Sequence, residues 1–130
     1  MTDSALSLLG LALRGNNLAV GEEPVADACK AHRAVLVVTA ADAAQNSLDR
    51  ARRWAETGAA AHTSVPWDKE TLGHALGRGS CAMAALTDRG LAGALAEKLV
   101  RADGGLRPSL EPLLHENKNG RAQRPAAPET

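Results

Sequence analysis

The sequence predicts an α/β domain in which a small sheet lies between layers of helices. Three observations carry that prediction. Apolar residues recur at helical spacing in several segments, and helical and extended stretches alternate along the chain. The run Ala34-Val35-Leu36-Val37-Val38-Thr39 is continuously apolar and rich in β-branched residues, as a central strand covered on both faces requires. At 130 residues the chain suits one domain with a core able to fold alone.

The elements follow in order. Asp3 or Ser4 caps a first helix through Ala5, Leu6, Leu8, Leu9, Ala12 and Leu13, and Gly15-Asn16-Asn17 ends it. Leu18-Ala19-Val20 is a short extended piece closed by Gly21. A second helix has Glu22, Glu23 and Pro24 in its first turn, where acids suit the dipole and proline costs no hydrogen bond. It turns Val25, Ala28 and Cys29 inward and ends near His32. After the central strand, Asn46 or Ser47 caps a third helix through Leu48, Ala51, Arg52 and Ala55 to Gly58. Ala61 to Val65 is a weaker strand. Asp68 caps a fourth helix, which the loop Gly77-Arg78-Gly79-Ser80 terminates. Cys81 to Leu86 is another strand, and Thr87 or Asp88 caps a fifth helix lined by Leu91, Leu95 and Leu99.

From about Ala102 the composition changes. Pro108, Pro112, Pro125 and Pro128 fall here, and polar residues dominate from Glu116 onward. This predicts an ordered domain over residues 1–101 and a disordered, Pro-rich tail over 102–130, with at most a helical turn at Leu110 to His115. Such a tail is expected to be dispensable for folding.

Composition excludes several functions. There is no Phe or Tyr, so Trp54 and Trp67 are the only aromatic rings, which argues against reading RNA on an aromatic sheet face. Lys plus Arg number 15 and Asp plus Glu 15, so binding to nucleic acid by bulk charge is disfavoured and only a local basic patch remains open. The N-terminus lacks a basic segment leading a long apolar one, and the apolar run Leu8 to Leu13 is short and broken by Gly10. A cytoplasmic protein without membrane contact is expected, with Cys29 and Cys81 reduced and packed.

Catalytic constellations are sparse. His32, His62, His74 and His115 share no metal-ligand spacing with each other or with the cysteines. Asp42, after the central strand, reads as a helix-leading cap more readily than as an acid or base. Cys81 with His74 reads as a small apolar thiol entering a buried strand rather than as a nucleophile pair. Gly73, Gly77 and Gly79 do not make a phosphate loop, and Gly73 falls within a helix, where a missing side chain suits close packing. Neither an enzyme nor a cofactor is expected.

Three stretches together resemble the bacterial ribosomal L-seven-Ae-like family, in its YlxQ-like branch. They are L-G-L-A-L-R-G-N-N-L-A-V-G-E-E (Leu9 to Glu23), V-L-V-V-T-A-A-D-A-A-Q-N (Val35 to Asn46), and K-E-T-L-G-H-A-L-G (Lys69 to Gly77) followed by the strand A-M-A-A-L-T-D (Ala82 to Asp88). The resemblance covers roughly residues 5 to 100. It implies a three-layer α/β/α sandwich with a small mixed sheet of four strands. It also implies binding to kink-turn RNA, with the N-terminus of the second helix docked at the bend, where free amides and a positive dipole face phosphates.

The family's kink-turn binders read G-x-N-E-x-x-K or G-x-K-Q-x-x-K at that helix. Here Gly21 matches the glycine, Glu23 stands at the Asn or Lys position, Pro24 at the Glu or Gln, and Asp27 at the Lys. Each acid beside phosphate costs about 1 kcal/mol when partly screened. The branch commonly carries G-E here, so the departure resembles a branch property. The candidate RNA-contacting residues are Gly21, Glu22, Glu23, Lys30, Arg33 and the loop Gly77, Arg78, Gly79, Ser80. Arg14 and His32 add basic character near Lys30 and Arg33, whereas Arg52 and Arg53 read as a solvated helix face.

The function this implies is that of a monomeric, ribosome-associated accessory protein recognising structured RNA, either ribosomal RNA or another kink-turn RNA. Ribosomal or translation proteins would be further partners. The alternative is a protein-interaction module on the same fold that has lost RNA affinity, since Glu22, Glu23 and Asp27 make that edge acidic.

Overall fold

The computed structural model describes residues 2–122 of the chain. The elements are α1 (Thr2–Arg14), β1 (Leu18–Val20), α2 (Glu22–Lys30), β2 (Leu36–Thr39), α3 (Gln45–Thr57), β3 (Ala61–Ser64), α4 (Lys69–Ala75), β4 (Met83–Leu86), α5 (Arg89–Ala102), a 3-10 turn (Gly104–Leu106) and α6 (Arg107–Ala122). The strands lie in the order β1-β4-β2-β3. β4 runs antiparallel to both its neighbours, while β2 and β3 are parallel.

The sheet is therefore mixed, and its two inner strands are the most apolar. Every residue of β2 and β4 is buried, which accounts for their lack of polar alternation. Val37, Met83 and Ala85 face one layer, where Val25, Ala28 and Cys29 of α2 meet Ala51 and Ala55 of α3. Leu36, Val38, Ala84 and Leu86 face the other, where Leu9, Leu72, Leu95 and Leu99 pack. This is the three-layer α/β/α sandwich.

Asp68 and Asp88 cap α4 and α5 as expected, accepting hydrogen bonds from the amides of Thr71 and Leu91 at 2.8 Å. The α3 cap differs. Ala44, not Asn46 or Ser47, stands at the N-cap, and the Ser47 hydroxyl donates instead to Glu22 Oε2 at 2.8 Å. Asp42 also differs, because it serves a helix other than the one it precedes. Its Oδ1 accepts from the amide of Lys69 at 2.8 Å, joining the β2–α3 loop to the first turn of α4.

The domain boundary expected at residues 101 and 102 is corrected. The chain continues through the 3-10 turn, where Asp103 accepts from the Gly105 amide at 3.0 Å, and into α6. Leu110 is fully buried and Leu113 and Leu114 nearly so, all three joining the α1/α5 core. The prolines had pointed the other way. Pro108 occupies the second position of α6, where a missing amide hydrogen costs nothing, and only Pro112 lies inside the helix. The spacing of Leu110, Leu113 and Leu114 is that of one helix face, and it outweighs the propensity. The remainder of the expected tail, residues 123–130, lies outside the described residues.

One buried polar contact gives the fold a pH dependence. Thr39, fully buried in β2, has its Oγ1 3.1 Å from His62 Nε2 across the parallel pair. Burial, with Arg52 adding to it, holds the His62 pKa below its ordinary value of 6.5. The unfolded chain then binds the proton more readily than the native protein. The stabilisation is complete above pH 6.5 and is lost as the pH falls through the lowered native value. Thermal midpoints measured from pH 7.5 to 5 are expected to fall more steeply for the parent than for His62→Gln; parallel curves would refute the assignment.

Candidate nucleic-acid interface

The sheet pairing decides which candidate residues share a surface. The carboxyl ends of β1, β2 and β3 lie at one end of the sheet with the amino end of β4. There the Gly21 amide donates to the Met83 carbonyl at 3.1 Å, and the Ala40 amide donates to Ala82 at 2.9 Å. The Cys81 amide meets the Lys69 carbonyl at 3.0 Å, so the loop entering β4 returns beside the start of α4. Gly21, Glu22, Glu23 and the loop Gly77 to Ser80 thus gather at this carboxyl end.

Gly21 explains itself locally. Its φ of 99° and ψ of 168° make an abrupt strand-to-helix turn that a side chain would strain. It provides no side-chain cap, and with Pro24 lacking an amide hydrogen only the Glu22 and Glu23 amides go without an intrahelical partner in the first turn. Gly77, at φ 74°, reverses the chain after α4, and Arg78, Gly79 and Ser80 are all exposed. Gly73 lets that loop close: a Cβ there would stand 2.5 Å from Ser80 Cα.

The acids at this end are not equivalent. Glu22 is half-buried and committed, its Oε1 pairing with Arg50 of α3 at 2.8 Å while Oε2 accepts from Ser47. Its charge therefore knits α2 to α3 rather than opposing a ligand. Glu23 is exposed, and Asp27 is exposed one turn further along the same face of α2. The Asp68 carboxyl is held below its usual range, chiefly by the Thr71 amide. The Cys81 thiol is pushed up by burial and donates to the Met83 carbonyl at 3.1 Å, so it stays protonated and inward. Trp67, whose carbonyl accepts from Ala41 at 2.8 Å, buries its indole Nε1 without a hydrogen-bond partner. Among the described residues no three of His, Cys, Asp or Glu are grouped to hold a metal ion. No described helix is long and apolar enough to cross a membrane.

Lys30 and Arg33 are not part of this surface. Lys30 ends α2, about 12 Å along the helix axis from Glu22. Arg33 lies in the turn that follows, next to the amino end of β2, where the Val35 amide donates to Leu86 at 2.7 Å. Arg14 belongs to neither end, since its guanidinium turns back over Gly10 toward Ala75. The sequence offered Lys30 and Arg33, near one end, and Arg78, in the loop after α4, together as candidate contacts. It missed the Glu22–Arg50 pair, for which the only signal was an acid and a base on consecutive helices.

The chain matches no protein-family model and no curated protein. It is similar to a solved structure of a protein of unknown function from Bacillus halodurans. The two are 28% identical with a TM-score of 0.67, over 73% of this chain and 95% of that one.

Proposed function

We propose that the protein is a cytoplasmic RNA-binding accessory factor of the ribosome that recognises structured, kink-turn-like RNA. One observation carries the reading: Gly21, the N-cap of α2 without a side chain, and the exposed Gly77-Arg78-Gly79-Ser80 loop both adjoin the end of the sheet where β4 begins. The Glu22 and Glu23 amides and the positive end of the helix dipole suit phosphate, and Arg78 supplies a cation at the same end of the sheet. The resemblance over three sequence stretches points to the same end. Neutralisation of Glu22 by Arg50 removes one of the three acids that favour a protein partner instead.

The test is a fluorescence titration of the full chain against a panel of kink-turn RNAs and total ribosomal RNA. Affinity is expected to fall with salt, because phosphate contacts release counterions. Binding no tighter than about 10 µM at low salt for every structured RNA would dispose of the reading, being no better than non-specific contact.

The exposed acids offer a second test. Glu23→Asn with Asp27→Lys shifts the α2 face by three charge units in favour of phosphate. At about 0.5 kcal/mol per unit after screening, kink-turn affinity is expected to rise roughly tenfold, with a smaller gain at high salt. An unchanged affinity at low salt would remove this face from the interface.

A further inference from the structure

A hollow of about 340 Å³ lies between the last turn of α5, the 3-10 turn that follows it and the chain leaving β3. Its size is at the lower end of the range for pockets that take a small group. Leu99 closes the apolar stripe of α5 and is 2% exposed, as is Val65 opposite it. Ala102, one turn beyond Leu99, is too small to cover it, and Leu106 stands half-buried beside them. Pro66, Ala102 and Asp103 are exposed and form the rim. The inner wall is therefore apolar and the mouth is wet.

The charge at the mouth has one sign. Asp103 is the only charged residue that lines the hollow. Its Oδ1 accepts from the Gly105 amide at 3.0 Å, and it forms no ion pair among the described residues. Lys98 and Arg101, the nearest cations on α5, do not line the hollow, and Arg107 is paired with Glu111 at 3.5 Å. The Ser64 hydroxyl is engaged with Thr39 Oγ1 at 3.4 Å. The negative end of the α5 dipole adds to the carboxylate. Of the last carbonyls that a helix leaves open, that of Leu99 is met by the Asp103 amide, and those of Val100, Arg101 and Ala102 have no intrahelical partner.

We propose that this hollow is a docking point for a lysine side chain of a protein partner, its methylene stem against Val65, Leu99 and Leu106 and its ammonium at Asp103. Lysine buries its stem along apolar surface while its head stays at the water, which is the order of groups found here from wall to rim. Only one carboxylate oxygen is left by Gly105. That suits a compact ammonium, whereas a guanidinium is held best by both oxygens of a carboxylate. A free diamine, charged at both ends, would set one charge on the apolar wall. The inference is independent of the RNA-binding proposal and concerns a different surface.

The experiment is a titration of the isotope-labelled full chain, followed by its amide chemical shifts. The probes are the Nα-acetyl methylamides of lysine, norleucine and arginine. The lysine probe is expected to shift the amides of Ser64, Val65, Ala102, Asp103 and Leu106 and to saturate in the millimolar range, as a single side chain warrants. Norleucine, which lacks the ammonium, and arginine are each expected to bind roughly threefold or more weakly. Asp103→Asn keeps the oxygen that caps Gly105, so its thermal midpoint is expected to match the parent, while its affinity for the lysine probe drops to that of norleucine. Ala102→Phe fills the hollow from an exposed position and is expected to abolish the shifts at Ser64 and Leu106. No saturable shift at these amides by about 50 mM lysine probe, far weaker than the millimolar scale, overturns the pocket. Norleucine bound as tightly as lysine overturns the role of Asp103, and arginine bound as tightly overturns the preference for an ammonium. Shifts unchanged in Ala102→Phe place the probe elsewhere and overturn the proposal.

Discussion

Cutting the chain after Asp103 is expected to lower the thermal midpoint by about 10 °C or more, a loss of at least roughly 2 kcal/mol for a domain of this size. The cut removes Leu110, Leu113 and Leu114, whose side chains are at most 5% exposed. Burial of each contributes about 1.5–3 kcal/mol, against which the ordering entropy of the turn and helix must be set. The cut also uncovers Leu99 and Val100 of α5, which share their core with these leucines. Leu110→Ala isolates the packing from the chain length. A fully buried leucine truncated in a core costs about 2–5 kcal/mol, enough to be seen in chemical denaturation of the full chain. A midpoint that moves by less than about 3 °C in both variants would show that α6 adds nothing to the core.

Gly73→Ala is expected to destabilise the protein although alanine is the better helix former. On propensity alone the change favours the helix by about 1 kcal/mol. Geometry opposes it: the new Cβ would lie 2.5 Å from Ser80 Cα and 2.7 Å from both Ser80 N and C, all backbone atoms without a rotamer to yield. The loop must move bodily, and overpacking of this kind costs about 1–3 kcal/mol beyond the lost propensity gain. The midpoint is expected to fall by about 5 °C or more. Gly79→Ala is the matched control, since a Cβ there meets nothing within 4 Å, and it is expected to leave the midpoint in place. Equal effects from the two substitutions would refute the close-approach argument. On the RNA-binding proposal, Gly73→Ala is also expected to lower RNA affinity more than Gly79→Ala at temperatures where both are folded, because only the former displaces Ser80.

The sandwich was legible because its signals are local. A β-branched run such as Val35 to Val38 has few alternatives to a buried strand, and Asp68 and Asp88 cap by reaching three residues along their own chain. Other features depend on distant partners. Ser47 is a plausible cap by type, but Glu22, 25 residues away, takes its hydroxyl. Asp42 caps a helix 27 residues downstream of it. The error at α6 came from weighing proline content above periodicity; the fixed φ of Pro108 is compatible with a helix start. The candidate site was legible at Gly21 and at the Gly77 loop, where backbone geometry demands glycine. Lys30 and Arg33 proved to lie at the other end of α2 from Gly21. Whether two ends of one helix face the same way is set by strand pairing, and no charge pattern along the chain encodes that.

The position of β4 governs when the sheet can exist during synthesis. It holds β1 on one side and β2 on the other, yet 63 residues separate Val20 at the end of β1 from Met83 at the start of β4. At about 5–20 residues per second, a translating ribosome needs roughly 3–13 s to cover that distance. Throughout that interval β1 has no strand to pair with, and the nascent β2–α3–β3 unit presents the open edge of Leu36 to Thr39 that β4 will later cover. Helix α6 arrives later still with three core leucines. The sheet can thus close only once β4 has emerged, and its core is complete only once α6 has followed.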